Sequence, residues 1–140
     1  MVVGTHIAVA GRYDTEAGIA ALVPFFLVSA LLLLNQFPDV EADREAGRRH
    51  LPIVWGRPRA AHVFVALYAL AYLSLVAGVL VGALPWPCLL GLVTLTLAVP
   101  AARDVLRHPD DVKALLPAMG RNVMVNLATP AFVAVGLFVG

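Results

Sequence analysis

From Ala60 to Ala102 the chain carries no Asp, Glu, Lys or Arg. About 20 apolar residues of helix cross the hydrocarbon core of a bilayer, so this stretch is twice what one crossing needs. Two more uncharged stretches flank it, Ala17 to Pro38 and Asn122 to Gly140. The 140 residues are 61% hydrophobic and 14% charged, whereas an ordinary soluble domain is about a quarter charged. All formal charges fall in three patches outside these stretches, at 12–16, 39–59 and 103–121. That excludes a soluble globular core and demands lipid around the apolar segments.

Four spans follow, at approximately 19–37, 60–83, 87–105 and 122–140. Pro24 sits early in the first and Pro130 near the middle of the last, positions a helical bundle tolerates. Gly82 to Pro87, with two prolines around Trp86, breaks the long stretch into a tight hairpin, and a tryptophan suits the membrane interface. Met1 to Ala10 is apolar but too short to span, and it lacks the basic flank and cleavage pattern of a signal peptide. It reads as the tail of a preceding helix. The expected fold is therefore all-α: a polytopic membrane bundle of about four transmembrane helices plus a partial N-terminal helix, residues 1–140 forming one unit.

Arg44, Arg48, Arg49, Arg57 and Arg59 fall after the first span, and Arg103, Arg107, Lys113 and Arg121 after the third. Of the alternate turns, one holds only Arg12 and the other no basic residue. By the positive-inside rule the two rich turns are cytoplasmic and the C-terminus lies outside. Net charge is only +1 and the basic residues sit beside acids, which leaves no nucleic-acid footprint. The single cysteine, Cys88, permits no internal disulfide and no C-x-x-C motif. It reads as a packing or lipid-facing residue.

The chemistry lies in Asn35-Gln-Phe-Pro-Asp39-Val-Glu-Ala-Asp43-Arg-Glu-Ala-Gly47-Arg-Arg-His50. Asn35, Asp39, Asp43 and Gly47 recur every four residues, so a helix continuing past Pro38 would set them in one stripe, with side chains about 5–6 Å apart. Two carboxylates on one face repel each other unless a cation lies between them. Magnesium takes one or two carboxylates, keeps waters and accepts the rest from substrate phosphates. Arg48 and Arg49 follow at once, and a guanidinium fork matches phosphate oxygens. Glu41 and Glu45 lie on another face, where Glu45 and Arg49 are spaced to pair. On spacing alone, D-x-x-x-D beside arginines is more often a solvated helix end than a metal site. Acids at a membrane edge in series with Asn and several arginines favour function, because charge there is costly.

This string, with Trp55-Gly56 and a new span at Ala60, resembles the second aspartate-rich motif of UbiA-superfamily membrane prenyltransferases, nearest the branch that prenylates dihydroxynaphthoate for menaquinone. In that family the motif sits in the cytoplasmic turn after the sixth of nine helices, three more follow, and Gly4-Thr5 with Gly11 resembles the end of the fifth. The resemblance implies transfer of a prenyl group from a prenyl diphosphate to a lipophilic, aromatic acceptor within the membrane. It assigns Asp39 and Asp43 as catalytic Mg2+ ligands, Asn35 as a metal or diphosphate contact, and Arg48 and Arg49 as diphosphate clamps.

Two features depart from the family. His50 stands where the family usually has Thr, and it reads as a surface variant in preference to an altered diphosphate contact. The first aspartate-rich motif of the family does not occur in this sequence. The chain is thus expected to be the C-terminal part of such an enzyme, inactive without an N-terminal half bearing the other motif. Tyr68 with Tyr72 and Asn122 with Asn126, each four apart, read as packing and as interhelical hydrogen bonding respectively. Two rival readings are a CDP-alcohol phosphotransferase, whose D-G-x-x-A-R element does not precede Asp39, and a transporter or assembly subunit, whose relay acids would lie in mid-membrane.

Overall fold

The structure is a computed structural model that describes the backbone of residues 2–11 and 15–140. Met1 and Arg12, named above, lie outside the described residues. The described residues fold into seven α-helices and one 3₁₀ segment: α1 Val2–Ala10, α2 Thr15–Asn35, α3 Val40–Glu45, α4 Leu51–Trp55, α5 Arg57–Leu80, the 3₁₀ segment Trp86–Thr94, α6 Leu95–Arg107 and α7 Val112–Val139. Among the described residues four helical stretches are long and apolar enough to cross a membrane: Glu16–Asn35, Arg57–Leu80, Trp86–Arg107 and Val112–Val139. The all-helical membrane bundle expected from the sequence is what forms.

Helix α2 packs most extensively against α5, and α7 packs against the 3₁₀ segment, α6 and α2. The buried positions run at helical spacing. On α2 they are Val23, Leu27, Ala30, Leu33 and Leu34, and on α7 they are Leu115, Ala118, Asn122, Val125, Thr129, Val133 and Gly136. Phe25, Val28 and Leu32 stand exposed on the other side of α2. A helix apolar all round has lipid to meet as well as protein. Within lipid there is no hydrophobic force between helices, so close packing and hydrogen bonds must hold the bundle. Small residues at the contacts supply the first: Ala60, Ala61, Ala71 and Gly78 on α5 are all buried. Ser29 donates to the Phe25 carbonyl at 2.7 Å, so its hydroxyl is satisfied within its own helix.

Two span starts differ from the sequence reading. The third span begins as a nine-residue 3₁₀ segment, where such runs seldom exceed three or four residues. Pro85 and Pro87 open it, and neither carries an N–H to donate. The last span begins at Val112, ten residues before the expected Asn122, so Lys113 and Arg121 lie inside α7 rather than in a turn. Arg121 donates to Asp104 on α6, which lets the helix carry that charge. At 28 residues α7 is about 42 Å long, more than the roughly 30 Å of hydrocarbon, so its charged first turns can stand in the interface. The N-terminus of α7 is capped by Asp111, whose carboxylate accepts from the N–H groups of Lys113 and Ala114.

Candidate functional site at the end of the first span

Helix α2 stops at Asn35 rather than running through the motif, which corrects the single continuous stripe. Pro38 has no N–H to continue the ladder and disfavours helical geometry at Phe37. The chain tightens instead: Gln36 N–H donates to Leu33 O at 3.2 Å and Phe37 N–H to Leu34 O at 3.1 Å. Arg57, at the start of α5, donates from Nε to the Phe37 carbonyl at 3.0 Å. Helix α2 is thereby tied to the next span. Sequence reasoning used Arg57 only as a topology charge and missed this strap.

Helix resumes at Val40. Asp43 N–H donates to Asp39 O at 2.8 Å, so the two aspartates are one helical turn apart as their spacing implied. Asn35 and Asp39 are exposed, and the Asp39 side chain caps no helix N–H although it holds the N-cap position. Gly47 is not part of a stripe. Its φ of 74° places it in the left-handed region, where glycine is unstrained. Gly47 N–H donates to Arg44 O at 3.1 Å and Arg48 N–H to Asp43 O at 2.9 Å, the paired bonds of a Schellman terminus.

That terminus folds the following residues back over α3. Arg48 Nη1 donates to Asp43 Oδ1 at 2.8 Å, and His50 Nε2 lies 2.8 Å from Asp43 Oδ2. His50 is accordingly no surface variant: its side chain is 17% exposed, and its one side-chain partner among the described residues is Asp43, 15% exposed. Arg48 is 70% exposed, and Arg49 is exposed as well. Glu41 pairs with Arg44 at 3.0 Å and with Arg57 at 3.5 Å. The pairing of Glu45 with Arg49 is not among the ion pairs of the described residues, because Gly47 ends the helix between them.

Among the described residues no three His, Cys, Asp or Glu side chains come together as a metal cage. The donor set suits the smaller protein share that magnesium asks for. Asp39 is exposed and uncapped, and each oxygen of Asp43 uses one of its two lone pairs on protein. Oxygen ligands of this kind beside exposed guanidinium groups fit a hard cation that takes one or two carboxylates and completes its shell from waters and phosphates.

Deeper in the bundle, polar side chains link the helices. Tyr68 O–H donates to Asn122 Oδ1 at 2.7 Å, and Asn126 Nδ2 donates to Asn122 O at 3.0 Å. The Tyr72 hydroxyl bonds Thr94 at 2.8 Å, and Thr94 bonds Thr129 at 2.7 Å. The interhelical bonding expected of the asparagines is made by Asn122, which meets Tyr68 of α5, whereas among the described residues Asn126 bonds only to Asn122 of its own helix. The tyrosines, expected to pack, also bond across helices. Thr94 and Thr129 carried no sequence signal, since an isolated threonine in an apolar run is ordinary. An apolar groove of about 450 Å³, lined by Val65, Tyr68, Tyr72, Leu95, Ala98 and Val99 among others, runs beside this network. None of Asn35, Asp39, Asp43, Arg48 or Arg49 lines it.

Comparison with known proteins gives this arrangement a context. Over 63 residues, 45% of the chain, it is 41% identical to the digeranylgeranylglyceryl phosphate synthase of Thermococcus onnurineus (strain NA1), of which the match covers 22%. Over 61 residues, 43% of the chain, it is 39% identical to the 1,4-dihydroxy-2-naphthoate octaprenyltransferase of Bacillus subtilis (strain 168), of which the match covers 20%. The chain therefore matches about a fifth of the length of each of these relatives. No solved structure matches it. The sequence pattern of the UbiA prenyltransferase family matches residues 1–123, which takes in the aspartate turn, its arginines and the first three spans, and the chain belongs to that family.

Proposed function

We propose that the protein works in the transfer of a prenyl group from a prenyl diphosphate to a lipophilic acceptor inside the membrane, and that the turn from Asn35 to His50 holds the diphosphate end. The observation that carries this reading is the placement of Asp39 and Asp43 one helical turn apart, at the end of a spanning helix and beside Arg48 and Arg49. Asp39 and Asp43 are the Mg2+ ligands, Asn35 a metal or diphosphate contact, and Arg48 and Arg49 the diphosphate donors. When bound, the metal neutralises charge growing on the departing diphosphate. Guanidinium forks add charge-assisted hydrogen bonds to the same oxygens and fix their orientation. The surrounding apolar helices supply a water-poor space for the allylic group.

The acceptor we favour is aromatic, a quinone precursor such as the dihydroxynaphthoate named for the Bacillus relative. The Thermococcus relative, named for a glyceryl phosphate product, supports a prenylated glyceryl phosphate acceptor as the second reading. The motif turn is assigned to the cytoplasmic side and the C-terminus to the other, on the distribution of basic residues.

The test is direct binding of geranyl diphosphate to the purified chain in lipid nanodiscs, with Mg2+ and with chelator. Binding should need the metal and should weaken by at least about tenfold in Asp39→Asn and in Asp43→Asn, since a ligand carboxylate is lost. Binding indifferent to both the metal and the two substitutions would remove the assignment.

A further inference from the structure

We propose that His50 is a positioning residue for Asp43, holding one carboxylate oxygen in place so that the other is presented to a divalent cation. This rests on the reading of Asp43 as a metal ligand given above. An ionised carboxylate only accepts hydrogen bonds, so the 2.8 Å contact from His50 to Asp43 Oδ2 requires the proton on Nε2. The other ring nitrogen, Nδ1, is buried with no partner. The ring thus has Asp43 as its one polar engagement among the described residues.

The two bonds on Asp43 are unequal. His50 is 17% exposed, whereas Arg48 is 70% exposed. Water competes freely for the arginine and hardly at all for the histidine, and exposed ion pairs are easily exchanged. Arg48 therefore stands on Oδ1 as an internal cation that an incoming metal can displace, after which its guanidinium is free for phosphate oxygens. His50 stays on Oδ2 throughout. Its backbone is anchored on both sides: the left-handed Gly47 precedes it, and the His50 carbonyl accepts from Ile53 and Val54 N–H at 3.0 Å each. Partners of this kind, which orient a ligand without touching the metal, typically change metal affinity by about 10- to 100-fold when removed.

The experiment uses the 140-residue chain in nanodiscs, with Mn2+ as a paramagnetic stand-in for Mg2+ read by electron paramagnetic resonance, alone and with inorganic pyrophosphate. His50→Ala should weaken Mn2+ binding by about tenfold or more. His50→Gln, whose amide nitrogen reaches the place of Nε2, should restore it to within about threefold of the unsubstituted chain, and His50→Asn, which reaches only the place of Nδ1, should not. Arg48→Ala should bind Mn2+ alone at least as tightly as the unsubstituted chain, but should weaken binding of the Mn2+–pyrophosphate complex. Thermal unfolding of each variant reports whether it is folded. Where His50→Ala unfolds, the contrast between Gln and Asn decides. Undiminished Mn2+ binding in His50→Ala, or Gln no better than Asn, overturns the proposal while Asp43→Asn still abolishes binding. Full Mn2+ binding in Asp43→Asn overturns the metal-ligand reading and this proposal with it.

Discussion

A Cβ built on Gly136 would stand 2.5 Å from both the Cα and the backbone nitrogen of Cys88, so α7 and the 3₁₀ segment meet there backbone to backbone. Lipid-embedded helices gain their association from such close approach. Gly136→Ala must push the two segments apart, because backbone has no rotamer with which to yield. The cost should be about 1–3 kcal/mol, as for other overpacked sites. Gly120 lies on the same helix with nothing within 4 Å of a built Cβ, and Gly120→Ala should be neutral or stabilising by up to about 1 kcal/mol. Thermal unfolding in detergent checks both. Equal midpoints for the two variants would contradict the contact.

The Tyr68 hydroxyl and Asn122 are 54 residues apart in sequence and joined by a buried 2.7 Å bond. Tyr68→Phe should be the milder change, since Asn122 Oδ1 keeps its bond from Asn126. Asn122→Ala should cost more, because it leaves the buried Tyr68 O–H unpartnered. A double-mutant cycle on unfolding free energy should give a coupling of about 0.6 kcal/mol, the average for hydrogen bonds between membrane helices, and no more than about 1.7 kcal/mol. Strict additivity would mean that the bond contributes nothing.

Orientation is open to a labelling measurement. Cys88 is fully buried and should stay unlabelled in the folded chain. A cysteine at Arg59 and one at Lys113, both exposed, should react with a membrane-impermeant maleimide from one and the same side of the membrane. A cysteine at Trp86, 77% exposed in the hairpin, should react only from the other. Labelling of Arg59→Cys and Lys113→Cys from opposite sides would break the assignment of both basic turns to the cytoplasm.

Hydropathy is local and additive along a chain, and for that reason the all-helical membrane bundle was legible in the residues alone. Three uncharged stretches and one proline-broken hairpin determined the number of spans. The aspartate turn was legible too, because a four-residue spacing is a helical period whatever surrounds it. Where α7 begins was not, since Arg121 becomes tolerable within a helix once Asp104 of α6 lies beside it. The same holds inside the motif. Periodicity alone would draw Asn35, Asp39, Asp43 and Gly47 as one stripe, but Pro38 ends one helix and the left-handed Gly47 ends another. Only the resulting reversal carries His50 back onto Asp43, a contact over seven residues that on a continuous helix would lie two turns, about 10 Å, apart. The close meeting of Gly136 with Cys88 and the bond from Tyr68 to Asn122 depend likewise on how separate helices dock. Docking within lipid rests on shape and hydrogen bonding, which no hydropathy pattern records.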